Sequence, residues 1–197
     1  MNIRSWVKIN TNSVCLNGNE ILTETSGKEL LIGLYRKYLK DYPKFFKMDT
    51  LCRLGTVACE LLLDNIKDDN YKEDISIILF NKSASLANDK IYQKTIVEDN
   101  YFPSPSVFVY TLANIVTGEI AIRHKIYGET SFYILNTIDI QQIHEIVTST
   151  LTGKDNKCIC GWLECSSENS FDAILFLLDG SNNNHFNIEN INRIINF

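Results

Sequence analysis

The run of residues 75–80 (ISIILF) constrains the fold more than any other part of the sequence. It is rich in β-branched residues, it is bounded by polar residues, and its apolar side chains would lie on both faces of an extended strand. A strand that is apolar on both faces needs a cover on each side, which helices provide in α/β proteins. We therefore expect a central strand in a sheet with helices on both of its faces.

Apolar residues at helical spacing predict several helices around this strand. The clearest one begins after Asp49, a typical N-cap residue, and ends near Asn65. The others are predicted over residues 28–39 after a cap at 25–27, over 84–96, over 106–116 up to Gly118, and over 138–151, where Asn136 and Thr137 form the cap and Gly153 the stop.

Strand patterns fill the remaining segments. Residues 3–9 and 13–16 predict a hairpin, residues 131–135 a short strand, and residues 157–164 and 171–178 a second hairpin. A polar loop at residues 182–184 precedes an apolar tail over 188–197. Strands that alternate with helices, without an internal repeat or a linker, predict one α/β domain over residues 1–197 with a mixed central sheet.

Charge and hydropathy exclude two classes of partner. The 197 residues include 19 Lys and Arg against 24 Asp and Glu, a net charge of -5, whereas a surface that binds nucleic acid needs clustered basic residues. No apolar run approaches the length that crosses a bilayer, and the first residues lack the apolar stretch of a secretory signal. We therefore expect a cytoplasmic protein that binds no nucleic acid and has no membrane span.

The six cysteines are not expected to form a disulfide framework, because the chain is predicted to be cytoplasmic. Cys52 and Cys59 would share one face of a helix. Cys158 and Cys160 would point to the same side of a strand, and Cys165 follows them. This trio lacks the two-residue spacing and the matched second pair that are typical of zinc sites. The sequence thus predicts structural thiols, with neither a metal nor a cofactor.

Short motifs occur along the chain in a defined order: FKMD at residues 46–49, FPSPS at 102–106, LANIVTGEIAIR at 112–123, Gly128 before the 131–135 strand, and GWLE at 161–164. Together, over residues 28–178, they resemble the N-terminal half of a β-ketoacyl synthase of the thiolase fold. The chain particularly resembles the short ketosynthase-like proteins found beside polyketide and aryl-polyene or flexirubin-type pigment genes. This resemblance implies an α/β, thiolase-like half domain.

The position of the family's nucleophilic cysteine carries no cysteine here. Counted forward from Gly128 it falls on Thr137, and counted back from Gly153 it falls on Asn136. The family's two catalytic histidines belong to a C-terminal half that the chain is not expected to contain. The resemblance therefore implies that the chain has no catalytic residue for acyl condensation. Asn136 and Thr137 either cap the following helix or line a relic pocket that still binds an acyl or carboxyl group at the helix end.

The resemblance also implies partners. In thiolase-fold dimers the strand before the nucleophile pairs with its twofold mate, and that strand corresponds here to Ser131, Phe132, Tyr133, Ile134 and Leu135. A lone half would leave apolar surface on the face where the second half packs, and such patches mark partner sites. We expect a full-length ketosynthase or an acyl carrier protein as partner, in a homo- or hetero-oligomer.

The leading hypothesis is a catalytically inactive ketosynthase-like accessory subunit in fatty-acid or polyketide-type synthesis of an aryl-polyene pigment. One alternative is a small acyl-thioester hydrolase that pairs His144 with Cys158 or Cys165. Another is a free-standing module that binds an acyl group or a carrier protein.

Two further groups of residues have both a structural and a functional interpretation. Glu119, Arg123 and His124 form either ion pairs or an exposed charged cluster that a carrier protein could contact. Six aromatic residues either pack in the core or line an acyl tunnel: Tyr101, Phe102, Phe108, Tyr110, Phe132 and Tyr133.

Overall fold

A computed structural model of the protein describes residues 1–66, 69–151, 157–181 and 183–197. Within these ranges the strands are β1 (Asn2–Asn10), β2 (Val14–Leu16), β3 (Asn19–Ile21), β4 (Ile75–Asn81), β5 (Ile96–Val97), β6 (Asn100–Tyr101), β7 (Thr130–Ile134), β8 (Lys157–Ser167) and β9 (Ser170–Asp179). The α-helices are α1 (Gly27–Leu34), α2 (Thr50–Leu63), α3 (Asp69–Glu73), α4 (Leu86–Gln93), α5 (Pro105–Phe108), α6 (Ile115–His124), α7 (Ile140–Thr150) and α8 (Ile188–Ile195). A π-helical turn (Tyr35–Leu39) and two 3-10 turns (Pro43–Lys47 and Val109–Thr111) complete the helical segments.

Seven strands form one mixed sheet in the order β3-β2-β1-β9-β8-β4-β7. β4 runs parallel to both of its neighbours, so that Ile77 pairs with Thr130 on β7 and with Ile159 on β8. All other pairs in this sheet are antiparallel, including the hairpin of β8 and β9. The parallel strands and both predicted hairpins confirm the mixed α/β sheet.

Helices cover both faces of the sheet. On one face buried residues of α1, α2 and α6 share one core, the α2-side core, with the odd-numbered side chains of β4, among them Ile77 and Leu79. On the other face buried residues of α7 and α8 share a second core, the α7-side core, with Ile78 and Phe80. The apolar run at residues 75–80 is therefore buried on both sides, as predicted.

The segment after the two prolines differs from its prediction. The expected helix over residues 106–116 is broken: α5 and the following 3-10 turn end at Thr111, Leu112 takes an extended conformation, and α6 begins at Ile115. Gly118 lies inside α6 rather than at the end of a helix. Among the described residues no single helix is long and apolar enough to cross a membrane, although the pair Pro105–Thr111 and Ile115–His124, bent by 99°, passes that test on length and composition alone.

The predicted cap of the 138–151 helix is also wrong. Asp139 is the N-cap of α7, and its carboxylate accepts a hydrogen bond from the Gln142 backbone N–H at 3.0 Å. Asn136 and Thr137 precede it in the turn. The predicted 84–96 helix ends at Gln93, since Ile96 pairs with Tyr101 in a small separate sheet. Gly153, the expected helix stop, lies outside the described residues, as does the first residue of the predicted polar loop.

The second face of the sheet does not carry the expected apolar surface. The tail forms α8, whose Ile191 and Ile194 are buried beside Ile143 and Val147 of α7. The described residues that α7 exposes to solvent are polar: Gln141, Gln142, Glu145, Thr148 and Ser149. The chain thus covers this face itself, because α8 supplies an apolar stripe that the sequence analysis left unplaced.

Candidate functional site

The resemblance implies that the family's nucleophile position falls on Asn136 and Thr137, and the structure places these two residues in the turn between β7 and α7. Leu135 closes the strand by donating its backbone N–H to the Asn81 carbonyl at 2.8 Å, and Asn136 and Thr137 follow with exposed side chains. Both side chains are neutral and have no described acid or base bonded to them. An unassisted amide or hydroxyl is a poor nucleophile for a thioester.

β7 is an edge strand of the described sheet, with β4 on one side only. The Glu129 carbonyl accepts a hydrogen bond from the Ile77 N–H at 2.8 Å, and the Leu135 N–H donates one to the Asn81 carbonyl. The odd-numbered residues of β7 therefore point their backbone N–H and C=O groups toward β4. Because N–H and C=O groups alternate sides along a strand, Phe132 and Ile134 direct theirs away from the sheet. The predicted pairing strand therefore has an open row of backbone donors and acceptors.

The charged cluster at the end of α6 is structural. Arg123 donates two hydrogen bonds to the Glu60 carboxylate, at 3.2 and 3.1 Å, and thereby ties α6 to α2. Burial, together with the Arg123 charge, lowers the pKa of His124 to about 3, so this imidazole is neutral. Glu119 is buried and pairs with Lys44 at 2.7 Å. Ion pairing is confirmed for Glu119 and Arg123 but not for the neutral His124, and the alternative of an exposed cluster is wrong.

Among the described residues no thiol is hydrogen-bonded to a histidine ring. Cys158 and Cys160 lie together in the α7-side core, whereas Cys165 lies in the α2-side core on the opposite face of the sheet. Burial raises the pKa of Cys165 to about 12, which is the reverse of what a nucleophilic thiol needs. His144 Nε2 lies 3.1 Å from the Phe186 carbonyl oxygen, and its ring stacks on the Phe186 ring.

The remaining polar residues give no metal centre within the described ranges, since no group of three or more His, Cys, Asp or Glu side chains comes together there. The Nδ1 atom of His185, the third histidine, lies 2.8 Å from the Oδ1 atom of Asn2. This contact joins the N-terminus to the loop before α8. Its contact is structural too.

Three of the six predicted aromatic residues lie on the surface rather than in the core. Tyr101, Phe102 and Phe108 are 67%, 76% and 53% exposed, while Tyr110 is buried. Phe132 and Tyr133 pack against opposite faces of the sheet, so the six residues do not line one tunnel.

The exposed aromatics belong to residues 86–112, which we call the apolar excursion. This segment connects β4 to α6, and α4 packs there on α5, β5 and the 3-10 turn. It contributes about half of the large apolar side chains that the described part of the chain exposes: Leu86, Ile91, Val97, Tyr101, Phe102, Phe108, Val109 and Leu112. Apolar side chains that are exposed together in one segment are typical of surfaces that contact a partner.

A groove of about 810 Å³ lies beside the same excursion, between α4, α5, the N-terminal end of α2 and the turn joining β8 to β9, and Ile91 contributes to its lining. Its floor includes Met48, Tyr110 and Cys165, all buried. Asn88 donates its amide to the Val107 carbonyl at 2.9 Å and thereby holds α4 against α5. A volume of this size is within the usual range of small-molecule sites.

Comparison with solved structures identifies the fold. A chain of the ketosynthase (ApeO) in complex with its chain length factor (ApeC) from Xenorhabdus doucetiae matches with a TM-score of 0.60 and 14% identity, over 92% of this chain and 80% of that one. The chain has a ketosynthase-like fold. The ishigamide ketosynthase/chain length factor matches similarly, with a TM-score of 0.60 and 16% identity, over 91% of this chain and 62% of that one. No protein-family model and no curated protein sequence matches.

Sequence reasoning missed two features of this ketosynthase-like fold for which signals were present. Asp139 stands three residues before Gln142, the spacing of a capping box, and it is closer to the apolar pattern of α7 than Asn136 is. Lys90 and Lys94 stand one helical turn apart beside Ile91, which marks a helix with cations next to an apolar residue. The groove itself left no signal, because its walls come from segments far apart in the sequence.

Proposed function

We propose that the chain is a ketosynthase-like accessory subunit that does not itself condense acyl groups and that pairs with a ketosynthase-like partner. The observation that carries this proposal is the open edge of β7, at the strand through which thiolase-fold subunits pair. The similar solved structures are described as a ketosynthase with its chain length factor and as a ketosynthase/chain length factor, which supports pairing with a second protein of this kind.

The edge of β7 suits pairing with another strand. Phe132 and Ile134 point their N–H and C=O groups outward, and Ile134 also leaves its side chain 52% exposed. A strand added there would satisfy those groups and extend the sheet beyond β7. The apolar excursion offers further surface that a partner would remove from water.

Two features support an accessory role rather than a condensing one. Asn136 and Thr137 supply no nucleophile at the turn before α7, and the three histidines are neutral or bonded to neighbouring groups elsewhere. The reaction served would be polyketide-type chain building, as in aryl-polyene pigment synthesis, with an acyl carrier protein delivering the chain to the assembled pair.

The pairing is tested by removing one outward backbone donor. Ile134→Pro deletes an N–H that faces away from β4, and an edge strand tolerates proline at such a position. Ile134→Ala is the matched control, since it truncates the same exposed side chain and keeps the N–H. We expect native mass spectrometry of the chain from its own cells to show a complex with a ketosynthase-like protein, lost in Ile134→Pro and retained in Ile134→Ala.

Two results would contradict the proposal. One is a monodisperse monomer at high micromolar concentration with no ketosynthase-like protein bound. The other is the same complex in both variants, which would place the contact away from β7. Release of free thiol from acyl thioesters by the purified chain would instead support the hydrolase alternative.

A further inference from the structure

We propose that the groove between α4, α5, the start of α2 and the β8–β9 turn binds an amphipathic anion: an aliphatic chain that ends in a carboxylate or phosphate group. Asn136 and Thr137 do not line this groove, so the site is distinct from the turn before α7. Nor does it use the outer edge of β7. The proposal therefore stands independently of the pairing proposed above.

The floor of the groove is apolar where a ligand would insert. Met48, Cys165 and Tyr110 are buried beneath it, and Ile91 and Val107 contribute apolar side chains from α4 and α5. The Tyr110 hydroxyl is directed to the Glu119 carboxylate at 3.3 Å, which leaves its polar group already bonded. This floor favours an aliphatic chain over a polar ligand, because the Tyr110 hydroxyl and the Cys165 thiol are already bonded and the other side chains named here are apolar.

The rim is cationic. Lys47, Lys90 and Lys94 line the groove with exposed side chains, and within the described part of the chain none of them forms an ion pair or a side-chain hydrogen bond. Arg53 adds a fourth positive charge, although it donates to the carbonyls of Phe45 and Phe46. This concentration of positive charge is notable on a chain whose net charge is -5.

The two acidic residues of the lining do not neutralise these lysines. Asp49 accepts from the Cys52 backbone N–H at 2.9 Å, where it caps α2. Glu168 pairs with Lys28 at 3.4 Å, on the side of α1. Three unpaired ammonium groups around an apolar floor are complementary to a ligand that combines an anionic head with an aliphatic tail.

The test is isothermal titration calorimetry of the full chain with decanoate and with decyl phosphate, both below their micelle concentrations. We expect saturable binding of at least one of them, and the tighter one identifies the head group. Decanol and acetate separate the contributions of tail and head, and we expect each to bind about tenfold more weakly or not at all. Decanol binding as tightly as decanoate would overturn the anionic part of the proposal.

Variants locate the site. The double variant Lys90→Gln and Lys94→Gln should weaken binding of the anion about tenfold, since it removes two charges from the rim. The double variant Lys40→Gln and Lys82→Gln makes the same change of net charge away from the groove and should bind as the parent does. Equal affinity of the two doubles, or no binding of either anion by the parent chain, would refute the proposal.

A groove-filling variant checks the floor independently of charge. Val107→Trp places a large side chain in the cavity and should abolish binding of both probes. Far-UV circular dichroism and thermal unfolding establish that it is folded, so loss of binding with an unchanged melting temperature supports the site. Retained binding in folded Val107→Trp would contradict it.

Discussion

Replacing Gly161 with alanine should destabilise the chain strongly, because its backbone leaves no space for a side chain. Gly161 lies in β8 between Leu79 of β4 and Leu175 of β9, with φ at +142°. An added Cβ would lie 2.1 Å from the Ile174 carbonyl oxygen and 3.0 Å from the Leu175 Cα atom. Both are main-chain atoms of a neighbouring strand, so no side-chain rearrangement relieves the clash.

Gly161→Ala should lower the free energy of unfolding by about 4 kcal/mol, because it combines overpacking with a φ value that L-residues rarely adopt. That is a large part of the roughly 5–15 kcal/mol by which domains are usually stable. Urea unfolding followed by far-UV circular dichroism measures the change.

Gly118→Ala is the matched control, since a Cβ there meets nothing within 4 Å in the middle of α6. It should stabilise the chain by roughly 0.5–1 kcal/mol, because alanine loses less backbone entropy in a helix. A free energy of unfolding for Gly161→Ala within about 1 kcal/mol of the parent would refute the argument that β8 and β9 are held at this distance.

Three further predictions concern other regions. The pKa of His124 is lowered from 6.5 to about 3 in the folded chain. Between pH 6.5 and pH 3, His124 therefore binds a proton in the unfolded chain but not in the folded chain. The free energy of unfolding should therefore fall as the pH falls from 6.5 toward 3, by at most about 1.4 kcal/mol per pH unit from this residue, and urea titrations of His124→Leu should show a flatter dependence. Iodoacetamide labelling followed by mass spectrometry should modify Cys15 first, since the other five thiols are buried; rapid labelling of any of those would contradict their burial. Asp139→Ala should lower the free energy of unfolding by about 1 kcal/mol, because it removes the N-cap of α7, whereas Asn136→Ala should change stability little. A larger loss of stability in Asn136→Ala than in Asp139→Ala, measured by thermal unfolding, would instead support the cap that was predicted from the sequence.

Much of the fold could be predicted because local patterns agree with the final packing. The 75–80 run is buried on both faces, Asp49 caps α2 as expected, and the β8–β9 hairpin has the predicted strands. These features depend on side-chain periodicity and capping chemistry, which a short window of sequence contains.

The errors occur where tertiary contacts override local preference. Residues 106–116 have enough apolar residues for one helix, yet the chain breaks at Leu112 and α6 starts afresh at Ile115. Asn88 holds α5 through the Val107 carbonyl and Ser85 holds the 3-10 turn through the Thr111 carbonyl, contacts that no local pattern contains. Three aromatic residues expected in the core or a tunnel lie on the surface for the same reason.

The sequence by itself determined the α/β class, the burial of the helix thiols Cys52 and Cys59 and of the strand thiols Cys158 and Cys160, and the absence of a cysteine at positions 136 and 137. Each of these follows from residue identity and short-range spacing. Only the tertiary structure decided that β7 is an edge strand of the described sheet, that α8 covers the second face of that sheet, and that lysines surround an apolar groove. Edges, covers and cavities arise where segments distant in sequence meet. Their formation depends on which surfaces the whole chain buries, which no local pattern specifies.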